Sequence, residues 1–181
     1  MDIIELDISD CYLIKSNLFN DHRGSFFKTF HKEIYSKFGI EFEFAEEFYS
    51  ISHKNVIRGM HFQAPPADHD KIVYCPVGAV MDVFIDIRKE SKTYGKFRKI
   101  ELTSENGQIL YLPKGIAHGF ISLADNSVMI YKTSTTHSPM NDAGIRWDSF
   151  GCDWGIESPV LSVRDKNFIR FSDFESPFSD K

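Results

Sequence analysis

Cysteine is scarce in this chain. Cys11, Cys75 and Cys152 are its three, widely spaced and without a C-x-x-C pair. An odd, scattered set argues against a disulfide framework or a zinc knot and for reduced thiols in a cytoplasmic protein. A basic excess is missing too: 21 Lys and Arg stand against 26 Asp and Glu, a formal charge of −5. That balance argues against a nucleic-acid partner, although local cations can still hold a small anion. Long apolar runs are absent, and the opening "MDIIELDISD" is acidic where a targeting segment is basic and then apolar. Neither a signal peptide nor a membrane span is expected. No internal repeat or low-complexity linker interrupts the chain, so one domain over residues 1–181 is expected.

Phenylalanine, by contrast, is abundant: 17 residues point to aromatic packing in a sizeable core. Most segments read as short strands rich in Val, Ile, Phe and Tyr. They are "CYLIKS", "FEFAEEFYSI", "NVIRGMHF", "KIVYCPV", "AVMDVFIDI", "KFRKIELT", "QILYLP", "HGFISLA" and "SVMIYKTS". In "AVMDVFIDI" alternation puts Val80, Asp82, Phe84 and Asp86 on one face and Met81, Val83, Ile85 and Ile87 on the other. This is the pattern of an antiparallel sheet with one wholly apolar face. Asn106-Gly107 and Gly78 are each expected to turn a hairpin. One helix is expected over residues 31–39, "HKEIYSKFG", stopped by Gly39. From about residue 136 turn formers take over and the chain is expected to run irregularly. Many short strands with little helix predict an all-β jelly-roll barrel or sandwich with a few short helices. Such a barrel can hold a small ligand among its inward-facing side chains.

The stretch "IRGMHFQ" (57–63) sets Arg58 and His61 in apolar strand text, and Lys71 opens the next apolar run. Charged groups are costly to bury unless paired or used. Of the seven histidines, His31, His53 and His69 sit at a helix start or in polar text, where a structural or surface role is the simpler reading. The prolines of "QAPPADHDK" make Asp68–Asp70 read as a surface loop. His61 and His118 each lie near a glycine within a strand, and taken singly each reads as a hydrogen-bonded core histidine. "PKGIAHGF" (113–120) changes that weighing, because Pro-x-Gly-x-x-His resembles the second motif of the cupin superfamily, whose histidine points into the barrel. In the corresponding first motif, "GMHFQ", Gln63 stands where metal-binding cupins place a second histidine. Two histidines fall short of the three or four ligands a metal normally takes, so no metal is expected.

Further motifs follow in a fixed order: "DHRGSFF" (21–27), "NVIRGMHFQ" (55–63), "DKIVYCPVGAVMDVFIDIRKESKTYGKF" (70–97), "LYLPKGIAHGF" (110–120), "IYKT" (130–133), "GIRWD" (144–148) and "PVLSVRDK" (159–166). Together, from about residue 10 to 170, they resemble the dTDP-4-dehydrorhamnose 3,5-epimerase family. The resemblance implies a cupin-type jelly-roll homodimer without a cofactor. Its substrate would be a nucleotide-diphosphate 4-keto-6-deoxyhexose, inverted at C3, at C5 or at both. It implies His61 as the base, Asp165 as the carboxylate that orients it, Lys71 as the cation beside the C4 oxygen and Tyr131 as the acid on the opposite face. Arg23 and Arg58 would meet the sugar nucleotide. Phe26, Lys28, Glu46, Phe48, Ser50, Ser52, Gln63, His118 and His137 complete the implied substrate-binding set.

Four positions depart from the family pattern. Lys28 stands in place of a glutamate, Glu46 and Phe48 in place of a Gln-x-Asn pair, and His137 in place of a tyrosine. The carboxylate of Glu46 suits a cytosine amino group, so a CDP-linked sugar is an alternative to a dTDP-linked one. His137 makes inversion at a single carbon a second alternative. Two readings of other classes stand beside these. A metal-dependent cupin oxygenase needs a third ligand beside His61 and His118. A non-catalytic sugar-nucleotide-binding cupin has no need of His61, Lys71, Tyr131 and Asp165 together.

Overall fold

The structure is a computed structural model and describes residues 1–178. In chain order its elements are β1 (Asp2–Glu5), β2 (Tyr12–Lys15), β3 (Leu18–Asp21), β4 (Gly24–Phe27), α1 (Lys32–Ser36), β5 (Glu46–Ser52), β6 (Ile57–Gln63), β7 (Lys71–Val77), β8 (Ala79–Asp86), β9 (Phe97–Thr103), β10 (Gln108–Leu112), β11 (Ile116–Ser122), β12 (Ser127–Thr133), β13 (Asp142–Gly144) and α2 (Val163–Lys166), with a 3-10 turn at Phe171–Asp173. A six-stranded sheet, ordered β1-β2-β10-β7-β12-β5, packs against a five-stranded sheet, ordered β13-β6-β11-β8-β9. The β3–β4 hairpin stands apart from both. This is the all-β jelly roll with short helices that the strand-rich sequence predicts.

Between the sheets lies one apolar layer, with Val73 and Cys75 of β7, Phe84 of β8, Leu110 of β10, Phe120 of β11 and Met129 of β12 all buried. The outer faces are covered as well. Tyr35 of α1 and the following Ile40 and Phe42 pack on Ile14, Ile72 and Ile109 of the six-stranded sheet. The C-terminal stretch lays Ile145, Trp154 and Phe178 over Ile57, Phe62, Val83 and Ile85 of the other. Strand β8 is therefore apolar on its outer face, as expected, but buried on both, and Asp82 and Asp86 are fully enclosed. Asp86 is satisfied there by Arg88, Ser91 and Thr93. Asp82 belongs to the site described below.

Neither expected hairpin forms. Gly78 joins β7 to β8 and Asn106-Gly107 joins β9 to β10, and in both cases the two strands belong to different sheets. Gly78 takes φ +80° where the backbone passes so close to Ser127 that a Cβ would lie 2.6 Å from its hydroxyl. Asn106 ties the other corner: its Oδ1 accepts from the amides of Thr103 and Gln108, and its Nδ2 donates to the Glu101 carbonyl. The turn chemistry was legible, but the same residues serve a crossing between layers as readily as a hairpin. The helix is shorter than its pattern, five residues, with Gly39 just beyond its end at φ +76°. Strands β1, β3, β4 and β13 were not expected; they have three or four residues each, too few for alternation to show. No helix among the described residues is long and apolar enough to cross a membrane. Cys11, Cys75 and Cys152 are free thiols.

Candidate active site

Strands β6 and β11 pair so that His61 lies directly opposite His118, which sends both side chains to the same, inner face. The pair can form because glycines let the two backbones touch. A Cβ on Gly59 would sit 2.6 Å from the Gly119 Cα, and one on Gly119 would sit 2.7 Å from the Arg58 carbonyl oxygen. Each imidazole then meets an aspartate. His61 Nε2 lies 2.8 Å from Asp165 Oδ1, and His118 Nε2 lies 2.7 Å from Asp82 Oδ2.

Asp165 is delivered by α2. Ser162 caps that helix by accepting from the Asp165 amide at 3.0 Å, and the carboxylate accepts the Gly59 amide at 3.3 Å through its other oxygen. Burial would push this carboxyl up. The hydrogen bond and charge of His61, with the Gly59 and Ser162 contacts, outweigh burial and hold it below the usual carboxylate range. The carboxylate therefore accepts the Nε2–H of His61, and Nδ1 keeps its lone pair. Asp82 differs: burial dominates and pushes its carboxyl up against the pull of His118 and Lys71. Its Oδ1 has no hydrogen-bond partner among the described residues.

A cavity of about 350 Å³ opens between the sheets over these groups. From the five-stranded sheet it is lined by Arg58, His61, Gln63 and His118, and from the six-stranded sheet by Glu46, Phe48, Ser50, Lys71 and Tyr131. Lys71 is buried, and its Nζ donates to the His61 carbonyl at 3.0 Å. Burial pulls its pKa down to about 8, with Asp142 and Asp82 resisting. Burial pushes the Tyr131 phenol far above its ordinary value, so it stays protonated. The Tyr131 ring is stacked on Phe48, centroids 4.8 Å apart, and meets His118 edge-on at 5.9 Å. Arg58 is held at the rim by Ser52 Oγ at 3.0 Å and the Ile51 carbonyl at 3.1 Å.

The structure thus brings Glu46, Phe48, Ser50, Arg58, His61, Gln63, Lys71, His118, Tyr131 and His137 to one cavity. Asp165 stands behind His61, and Ser52 acts through Arg58 rather than lining the cavity. Arg23, Phe26 and Lys28 are not brought there. They lie on or beside the β3–β4 hairpin, where Arg23 pairs with Asp21 at 2.6 Å and Phe26 is 60% exposed. A hairpin with no partner in either sheet has nothing to carry it over its own chain's cavity. The sequence reading missed His69, Asp82, Asp142 and Arg164. His69 and Asp142 line the cavity, and Arg164 does so while paired with Asp142 at 2.6 Å. His69 precedes Lys71 by two residues and so shares its side of an extended chain, a signal the polar loop text concealed. Among the described residues no three His, Cys, Asp or Glu side chains converge on a metal-sized site.

Fold and cavity together define a cupin-type jelly roll with a cavity lined by His61, Lys71, His118 and Tyr131 between its two sheets. Residues 5–173 match the family model for dTDP-4-dehydrorhamnose 3,5-epimerase. The dTDP-4-dehydrorhamnose 3,5-epimerase of Shigella flexneri is 38% identical over 176 residues, covering 96% of this chain and 97% of that protein. The crystal structure of the Bacillus anthracis dTDP-4-dehydrorhamnose 3,5-epimerase, with TDP and PPi bound, superposes with a TM-score of 0.91 at 32% identity, covering 94% of this chain and 99% of the other. A Legionella pneumophila dTDP-6-deoxy-D-glucose-3,5-epimerase in complex with dTDP-4-keto-L-rhamnose superposes with a TM-score of 0.92 at 30% identity, covering 98% and 96%. The chain belongs to the dTDP-4-dehydrorhamnose 3,5-epimerase family.

Proposed function

We propose that the protein epimerises a dTDP-linked 4-keto-6-deoxyhexose at C3 and C5. The observation that carries this reading is the opposition of His61 and Tyr131, an open imidazole nitrogen and a protonated phenol, on the two facing walls of one cavity. A ketone at C4 acidifies the C–H bonds at C3 and C5, because the carbanion delocalises onto oxygen. His61 Nδ1 takes the proton from one face. Asp165 orients the ring and stabilises the imidazolium that forms, as carboxylates do in His–Asp pairs. The Lys71 ammonium takes up the charge that develops on the C4 oxygen. Tyr131 returns a proton to the other face, which inverts the centre. Arg58, at the rim, suits the diphosphate.

The test is NMR in deuterated water with purified protein and dTDP-4-keto-6-deoxyglucose. Deuterium at both C3 and C5 in a rhamno-configured product is expected. A folded protein that exchanges neither hydrogen overturns the reading. One observation favours a second nucleotide. Glu46, which replaces a neutral residue of the family pattern, lines the cavity and binds the His137 amide through Oε2 at 2.5 Å. Calorimetry with CDP and dTDP separates the two, and exchange at one carbon alone identifies a single-centre epimerase.

The working unit proposed is a homodimer. Strand β5 is an outer strand of its sheet with Phe48, Tyr49 and Ile51 exposed, Tyr49 at 67%, and such edges seek cover. Arg23, Phe26 and Lys28 reach a sugar nucleotide only if their hairpin serves the cavity of a second copy. The three free cysteines suit a reducing, cytoplasmic setting.

A further inference from the structure

His69 lies in the loop between β6 and β7 and lines the cavity two residues before Lys71. The loop is tied on several sides. The Asp70 amide donates to Ser134 Oγ at 2.9 Å, its carboxylate accepts the Lys114 amide at 3.0 Å, and Thr135 Oγ1 donates to the Ala67 carbonyl at 3.0 Å. The ring itself is set by Gln63, whose amide orientation is unambiguous. Oε1 accepts the Ser138 amide at 2.6 Å, while Nε2 faces the Ala67 carbonyl at 2.7 Å and the Thr136 carbonyl at 3.3 Å. Nε2 is therefore the amino end, and it also lies 3.1 Å from His69 Nδ1. The other neighbour of Nδ1 is the Thr135 hydroxyl at 3.5 Å. With one amino hydrogen on the Ala67 carbonyl, the second goes to Nδ1 at 3.1 Å in preference to the more distant Thr136 carbonyl, which makes Nδ1 the acceptor and assigns the ring proton to Nε2.

Nε2 has no protein partner among the described residues, and it is not among the side-chain atoms sealed from solvent without one. It is open to solvent, and the residue that carries it lines the cavity. Burial, helped by the charge of Lys71, drags this imidazole down to a pKa of about 3. The ring stays neutral at any working pH, and with Nδ1 occupied it is no proton carrier. What remains is a fixed, neutral N–H beside an ammonium. The two exposed guanidinium groups of the cavity, Arg58 and Arg164, are better matched to a diphosphate. A neutral donor that is held in advance suits an oxygen on which charge appears only during the reaction.

We infer that His69 donates its Nε2–H to an oxygen of the bound keto sugar, beside Lys71, and so acts as a further substrate-contacting residue of the reaction proposed above. The inference rests on that reading of the cavity. The experiment compares His69→Leu, which removes the donor, with His69→Gln, which restores an N–H. Solvent deuterium exchange into dTDP-4-keto-6-deoxyglucose is measured, and dTDP alone is titrated by calorimetry. His69→Leu is expected to lower kcat/KM for exchange by about 10- to 100-fold. His69→Gln is expected to return it to within about threefold of the parent, with dTDP affinity unchanged in both. A His69→Leu protein within about twofold of the parent overturns the inference. So does a parallel loss of dTDP affinity without rescue by glutamine, which marks the ring as a strut of the loop. If the parent protein itself exchanges nothing, the reading of the cavity falls, and this inference with it.

Discussion

Lys71 is the group whose protonation state the proposed chemistry depends on most directly. Burial brings its pKa to about 8, so it is cationic below that pH and neutral above it. An enolate loses its counter-charge as the lysine deprotonates. The kcat/KM for hydrogen exchange is therefore expected to fall as pH rises through about 8, and a pH profile of Lys71→Met, slower throughout, is expected to lack that limb. Tyr131 separates the two halves of an inversion. In Tyr131→Phe, abstraction by His61 persists, so deuterium is expected to enter the substrate with its original configuration while inversion drops by about 100-fold or more. NMR of the recovered sugar distinguishes the two products. At this scale the sequence was most readable where a residue violated its surroundings. Arg58, His61 and Lys71 stood out as charges in apolar text, whereas Asp82 did not, because alternation placed it on the mixed face of its strand, opposite the wholly apolar one.

Among the elements, one of the shortest carries a proposed catalytic task. Helix α2 has four residues and owes its start to the Ser162 hydroxyl. Ser162→Ala is expected to cost about 1 kcal/mol of stability, read from urea melts. Exchange activity is expected to fall further than that loss of folded protein explains, because Asp165 is no longer held behind His61. Strand existence was legible for the long elements, since period-two patterns of Val, Ile and Phe survive any arrangement of sheets. Which sheet each strand joins was not. Gly78 and Asn106-Gly107 satisfy local backbone demands that are the same in a hairpin and in a crossing, and the choice is made by packing on both faces of β7 and β8. The C-terminal stretch was equally opaque: its turn formers suggested irregularity, and only the fold reveals Trp154 and Phe178 as the cover of the five-stranded sheet.

For the molecule as a whole, the stranded hairpin makes the sharpest prediction. If Arg23 serves the cavity of a second copy, His61→Asn and Arg23→Ala proteins are each expected to be impaired when pure. On mixing after subunit exchange, activity is expected to reappear, because each mixed dimer contains one cavity with both residues intact. Sedimentation is expected to report a dimer, and Tyr49→Glu on the exposed face of β5 is expected to shift it toward the monomer. Mixing without recovery assigns the hairpin a role within its own chain.

The pairing of His61 with Asp165 joins residues 104 positions apart, and that of His118 with Asp82 spans 36. Loops of such length close slowly, and the partners reward the closure only once their strands are seated. A chain emerging from synthesis therefore carries His61 long before it carries Asp165, the carboxylate that its ring meets. After dilution from denaturant, hydrogen exchange activity is therefore expected to return later than the β-structure seen by circular dichroism, because it needs both long-range pairs and the strands alone do not.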